Sequence, residues 1–283
     1  MAVAFKAPVK DIVFGYEVVE TYDVISKIPA FSNFNEDIVI PTMEECAKFA
    51  EEVLAPINAI GDQQGATIKD GKVTMPKEFI DAYKSFSEAG WASISLPSEI
   101  GGGGMPIALS GGTLEILSTA NLAFGLAPGL AAGAISAINF HGSEDQKAKF
   151  LPKLVSGEWT GTMNLSEPQS GSDLGTITTK AEPLEDGSYK ITGTKVWITF
   201  GDHDLTDNII HLVLAKIPGS PEGTKGISMF IVPKVMVNDD GSLGDDNNVS
   251  CISIEEKLGI HASPTCVMEY DGSIGYLVGE ENR

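Results

Sequence analysis

Residues 163–175, MNLSEPQSGSDLG, place Ser166, Ser170 and Ser172, the glycines Gly171 and Gly175, a Glu167-Pro168 step and Asp173 in one turn-prone run that contains no Lys or Arg. Glycines let a ligand approach the backbone, and serines add neutral donors. A nest of amides and hydroxyls of this kind can hold a pyrophosphate without a cation, or the polar edge of a heterocycle. The same residues also suit a plain turn closed by Asp173 on backbone amides, and taken alone they leave both readings open. A second run, TKVWITFGDH, sets Trp197 and Thr199 two residues apart. On a strand such neighbours share a face. A flat ring beside a hydroxyl meets the needs of a flavin, which wants a surface against its isoalloxazine and a hydrogen bond near N5; the competing reading is a core tryptophan on a barrel strand.

Other chemistry-bearing runs are weaker. The glycines of EIGGGGMP, 99–106, lack the Lys-Ser/Thr pair of a phosphate loop and follow no strand, so they read as a loop shaping a cleft. The acidic run NDDGSLGDDNN, 238–248, lacks the calcium-loop spacing and its closing Glu, and reads as a solvated surface insertion. Cys46, Cys251 and Cys266 have neither paired nor metal-ligand spacing, which disfavours a disulfide framework and a zinc site.

Two kinds of element must position these runs. Up to about residue 156 the apolar periodicity is helical. Met43, Cys46, Ala47, Ala50, Val53 and Leu54 line one face, Pro76 opens a helix carrying Phe79, Ile80, Tyr83 and Phe86 that stops near Gly90, and Ser143 with Gln146 forms a capping-box pattern. From Trp159 onward short β-branched runs, YKITGTKVWITF, NIIHLVLAKI, GISMFIVPK and VSCISI, are separated by turn residues, with Asp186-Gly187 a hairpin turn. The expected fold class is α+β: an N-terminal all-α helical domain followed by an antiparallel β-barrel domain, with boundaries at 1–36 for an N-terminal extension, 37–157 for the helices and 158–283 for the barrel. Phe5, Pro8, Ile12, Phe14 and Tyr16 make that extension apolar enough to lie across a domain or a partner subunit.

The 283 residues carry 39 Asp and Glu against 19 Lys and Arg, a net charge of −20, which argues against a nucleic-acid partner because phosphates are held by basic surfaces. The charge-free stretch from Ile116 to Gly142 reads as a helix pair buried in a helical core, since its two asparagines, Pro128 and many small residues suit a membrane span poorly. The start, MAVAFKAPVK, has no apolar secretory core, and a cytoplasmic location is expected.

Taken together, in this order, the runs resemble the acyl-CoA dehydrogenase family. MNLSEPQSGSDLG is similar to that family's flavin-binding signature, KVWITFG to its second flavin segment, LPSEIGGGGMP to the loop closing its first helical domain, and EEKLGIHASPT, 255–265, to the segment leading to its last strand. FKAPVKDIVF resembles the subgroup with an extended N-terminus that includes 3-(methylthio)propanoyl-CoA dehydrogenases. The resemblance implies FAD as cofactor and α,β-dehydrogenation of an acyl-CoA thioester to a trans-2-enoyl-CoA. It implies flavin contacts from the backbone at Met163 and Leu165, the hydroxyl of Ser166, the close approach at Gly171, the ring of Trp197, and Ile198 with Thr199 at the flavin edge. Ser172 falls where the FAD pyrophosphate and the CoA of the substrate meet. The implied partners are an electron-transfer flavoprotein, further copies in a homo-oligomer, and a C-terminal helical domain, or a second polypeptide, carrying the catalytic glutamate. No residue of this chain matches that base, so the chain alone is expected to be inactive; Glu167, followed by Pro168 inside the flavin turn, reads as structural. An acyl-CoA oxidase relative and a non-catalytic, dehydrogenase-like subunit are the alternative readings.

Overall fold

A computed structural model describes residues 4–283. Its helical part runs through α1 (Val9–Val18), α2 (Thr21–Ile25), α3 (Glu36–Phe49), α4 (Ala55–Gln64), a short hairpin of β1 (Thr67–Lys69) and β2 (Lys72–Thr74), α5 (Lys77–Glu88), α6 (Ile107–Ala120), α7 (Leu122–His141) and α8 (Glu144–Ser156). Asn35 caps α3 by accepting from Ile38 N at 3.2 Å, and Glu36 and Asp37 sit in its first turn, where negative charge meets the positive end of the helix. A π-helical turn, Ala50–Leu54, joins α3 to α4. It lies against Pro56, which has no amide to give to the preceding turn. Met43, Cys46, Ala47, Ala50 and Leu54 are buried along one face as the periodicity requires, with Val53 half-buried. Pro76 stands one place before α5 rather than inside it, and Gly90, at φ 76°, ends the helix where an L side chain would be strained. The Ser143–Gln146 capping box on α8 is fully formed.

The charge-free stretch becomes the end of α6 and the whole of α7, split by Asn121, whose side chain accepts from Phe124 N and donates to the Leu54 carbonyl. By length and composition α7 could cross a membrane, yet Phe124, Ala127, Ala134, Ile135 and Ile138 are buried in the packed interior. Ile12 of α1 joins the core between the helices and Tyr16 donates to the Ala108 carbonyl, whereas Phe14 is exposed.

The sheet part contains β3 (Thr160–Asn164), β4 (Lys180–Pro183), β5 (Tyr189–Thr199), β6 (Ile209–Lys216), β7 (Ile227–Pro233), β8 (Val235–Val237), β9 (Leu243–Asp246), β10 (Val249–Ile254) and β11 (Thr265–Val278). Strands β11, β5, β4, β6 and β7 pair in turn and β7 returns to β11, which closes a ring; β10 extends β11 and β3 extends β6. The ring is mainly antiparallel, but β3 and β4 meet β6 in parallel. Between β3 and β6 the chain makes the long excursion through the serine-rich turn, β4 and β5, which gives it the length to re-enter in the same direction. Ile191, Val213, Phe230, Val232, Met268 and Tyr270 fill the interior. On the outer face, Leu212, Ile231 and Trp159 pack with Ile135, Ile138 and Leu154 of the helices, and a Cβ at Gly161 would lie 2.5 Å from the Ala134 Cβ, so β3 lies directly on α7.

Two of the weaker runs gain local detail. The acidic insertion lies on the surface as expected and supplies the turn and second strand of the β8–β9 hairpin, whose turn closes when Asp240 accepts from Ser242 N at 3.0 Å and Oγ at 2.6 Å. No cluster of metal-ligating side chains is found among the described residues, and the three cysteines are free and buried. The glycine-rich loop spends its amides internally, with Gly102, Gly103, Gly104 and Met105 N donating to the carbonyls of Pro97, Ser93, Leu96 and Ile94. Cβ atoms at Gly102 and Gly103 would lie 2.2 and 2.6 Å from carbonyl oxygens, so glycine is demanded by folding back, not by an anion.

Candidate functional site

The serine-rich turn leaves the end of β3 and lies beside the far end of β5. A Cβ on Gly171 would meet Trp197 Cζ3 at 3.6 Å and nothing nearer, so the turn and the indole adjoin with room between them. Trp197 sits in a β-bulge, where β5 fits two residues, Val196 and Trp197, opposite the single Val267 between the pairs Ile198–Cys266 and Lys195–Met268. Its φ is 60°, a strained value for a bulky side chain, and its ring is 58% exposed. A large ring held in strain and left in solvent is a candidate contact surface; it is not the core tryptophan of the competing reading. The bulge also turns Val196 inward beside Lys195, so Trp197 and the half-buried Thr199 share the outer side while Ile198 is buried in the barrel. The Thr199 carbonyl is fixed by Thr162 Oγ1 at 2.8 Å.

Inside the turn, part of the backbone is bonded internally and part is left free. The Glu167 and Ser170 amides pair with each other's carbonyls. Ser170 Oγ and Thr176 Oγ1 both donate to the Asp173 carbonyl, Gly175 N donates to Asp173 Oδ1, and Lys216 Nζ donates to the Gly175 carbonyl. Among the described residues no protein acceptor takes the amides of Ser166, Gly171 or Ser172. Ser166 is half-buried and Ser172 exposed. Met163 packs against the core cluster that includes Leu96 and Ile135, and Leu165 is half-buried at the start of the turn. Gly171 thus adjoins Trp197, Leu165 and Ser166 are tied to Lys195 and Val196 through their carbonyls, and Thr199 is tied to Thr162 beside Met163, while Ile198 is buried.

Glu167 is the anchor of the turn. Its buried carboxylate accepts from Thr178 N and Oγ1, Thr179 N and Oγ1, Gln169 Nε2 and Lys195 Nζ, at 2.6 to 3.0 Å. Burial pushes its pKa up, but the Thr179 and Thr178 bonds and Lys195 outweigh that and bring it down to about 2. A carboxylate so held is no general base near neutral pH. Lys195, wholly buried, was missed in the sequence reading; its signal was a charge inside a strand that is otherwise apolar or neutral there. A further network was illegible in the sequence: Tyr270 Oη donates to Asn164 Oδ1 at 2.9 Å, and Asn164 Nδ2 stands 3.4 Å from His211 Nδ1, bracing the residue before Leu165. Burial, with Lys234 nearby, lowers the His211 pKa to about 3, so the ring is neutral.

A cavity of about 450 Å³ lies among the helices, lined by Trp91, Ile94, Leu96, Leu114, Leu117 and Ile135 among others. It is mostly apolar, and its lining residues Leu96 and Ile135 belong to the core cluster against which Met163 packs.

The fold is a helical domain joined to a β-barrel that carries a turn with unpaired amides against an exposed indole. The chain belongs to the acyl-CoA dehydrogenase family: residues 42–158 match the acyl-CoA dehydrogenase N-terminal domain and residues 162–273 its middle domain. It is 46% identical over 278 residues to the 3-methylmercaptopropionyl-CoA dehydrogenase of Ruegeria pomeroyi, covering 98% of this chain and 47% of that protein. A butyryl-CoA dehydrogenase of Syntrophomonas wolfei is 42% identical over 240 residues, covering 82% of this chain and 39% of the relative. The chain therefore spans about half the length, or less, of these curated relatives. Among solved structures, an acyl-CoA dehydrogenase complexed with FAD from Bacillus anthracis superposes with a TM-score of 0.71 at 26% identity, covering 88% of this chain and 38% of that one.

Proposed function

We propose that this chain forms the flavin side, and part of the CoA side, of an FAD-dependent acyl-CoA dehydrogenase that converts an acyl-CoA thioester to the trans-2-enoyl-CoA. The observation that carries the reading is the juxtaposition of the amide-rich turn with the strained, exposed ring of Trp197. Those residues fit a flavin: the ring offers a flat wall, Thr199 a hydroxyl, and the amides about Ser166 neutral donors for the polar pyrimidine edge. Ser172 and the Gly171 amide suit the pyrophosphate and the adjoining CoA. The bound flavin would supply a hydride acceptor for the substrate β-carbon. The protein's own part is to orient that ring, exclude water and place the α-carbon beside it.

The apolar cavity among the helices offers the acyl chain its wall. Glu167 is tied into the turn and does not serve as base; the α-proton requires a carboxylate from a helical partner. The exposed Ile107, Leu114, Leu122 and Phe140 on α6 and α7 support such a partner packing there. A flavoprotein electron acceptor, assembly into homo-oligomers, a role in fatty acid metabolism in the cytoplasm, and boundaries at residues 36 and 157 belong to the same reading. Dye-coupled turnover across a panel of acyl-CoA substrates tests it. The chain alone should turn over poorly, and the chain completed by the helical domain of its curated relative should reduce the dye; no reduction by the completed, FAD-loaded protein sinks the reading.

A further inference from the structure

Lys195 does more than neutralise Glu167. The Glu167 carboxylate already has five other donors, from Gln169, Thr178 and Thr179, enough to fill its roughly four lone-pair sites. Neutral groups would hold it, yet an ammonium with no exposed surface is buried here as well. Its second bond is the informative one: Nζ donates to the Leu165 carbonyl at 3.0 Å. One residue on, Val196 N donates to the Ser166 carbonyl at 2.9 Å.

A trans peptide points its carbonyl and its N–H in opposite directions, and no cis peptide occurs in the described chain. With the Leu165 oxygen drawn inward to Lys195, the N–H of the same peptide, that of Ser166, faces the accessible side of the turn. No protein acceptor takes that amide among the described residues. A cation on the carbonyl oxygen also polarises the peptide and makes its N–H a stronger donor, the more so in a buried setting.

Building on the flavin reading above, we propose that Lys195 is a positioning residue that aims and strengthens the Ser166 amide toward the flavin pyrimidine, and that the Lys195–Glu167 pair thereby tunes the reduction potential of the bound cofactor. Reduction places negative charge on that ring. A donor sharpened by an ammonium, and the positive end of the pair turned towards the Leu165 peptide, favour the reduced form.

The charge arrangement makes the test a matter of sign. Lys195→Met removes the cation and leaves the Glu167 carboxylate, so the potential should fall; Glu167→Gln removes the anion and leaves the ammonium, so it should rise. The expected size is about tenfold in the relative affinity for reduced over oxidised FAD, or about 30 mV for a two-electron couple. Midpoint potentials are read by reductive titration of the FAD-loaded chain against a reference dye at neutral pH, with Lys195→Arg as the conservative variant expected to stay near the parent value. A purely architectural pair would move both potentials alike or neither while lowering thermal stability, and that result overturns the inference. If Lys195→Met does not fold, Glu167→Gln decides: a fall or no change refutes it. Failure of the unaltered chain to bind FAD removes the flavin reading and this inference together, whereas binding with unchanged potentials removes this inference alone.

Discussion

The buried carboxylate of Glu167 predicts a specific acid sensitivity. Its pKa falls from the ordinary 4.5 to about 2 in the folded protein. A group whose folded pKa is depressed contributes stability that is fully present above its unfolded value and is lost as pH falls through the folded one. For this gap the contribution is about 3 kcal/mol at pH 7, nearly unchanged at pH 5 and down to about 1.4 kcal/mol at pH 3. Glu167→Gln removes it and also strands the Lys195 ammonium, so its total cost near neutrality should reach about 3–5 kcal/mol. Urea unfolding of both proteins at pH 7, 5 and 3 isolates the group, because every other carboxylate titrates in both. The stability difference should stay level between pH 7 and 5 and shrink by about 2 kcal/mol by pH 3. A difference that is the same at all three pH values would refute the assignment of a depressed pKa to Glu167, and one below about 1 kcal/mol throughout would refute the anchoring role.

Three further outcomes follow from local geometry. Trp197→Gly should stabilise the free chain by about 1 kcal/mol, because glycine adopts the positive φ without strain and the ring is exposed, while weakening FAD about tenfold; calorimetry and a cofactor titration read the two effects. Ser143→Ala breaks the capping box of α8 and should cost about 1 kcal/mol, seen as a lower melting temperature, with FAD affinity unchanged. Gly161→Val drives a side chain into Ala134, 2.5 Å from the would-be Cβ, and should destabilise by more than about 3 kcal/mol in urea, since neither β3 nor α7 can yield without opening the shared core.

The helices and strands were legible because their signals are local. The capping box, the face of Met43 to Leu54 and the β-branched runs each state their own structure, and the order of motifs stated the family. What the sequence concealed depended on closure of the barrel. Parallel pairing of β3 with β6 follows from where the chain returns after a long excursion, which no window of residues encodes. The bulge at Val196–Trp197 hid the placement of Lys195: Lys195 keeps the inward phase of Tyr189 and Ile191, under the Leu165 carbonyl, and the extra residue after it turns Trp197 and Thr199 to the other side. Glu167 was legible as structural from Pro168 beside it, but its five neutral donors come from Gln169 and from residues 178 and 179, beyond any turn pattern. The acidic run at 238–248 was legible as surface, but that Asp240 closes the turn of a hairpin was not.

Whether the turn of residues 163–175 and the ring of Trp197 together hold a flavin is read by titrating the folded chain with FAD while following tryptophan emission and the visible flavin spectrum. Binding should be saturable and one-to-one, with quenched emission and a resolved flavin band, and most of that quenching should be lost in Trp197→Ala. A chain shown by circular dichroism to be folded, yet leaving FAD unbound in large excess, or binding it with the same quenching when Trp197 is replaced, would contradict the flavin reading.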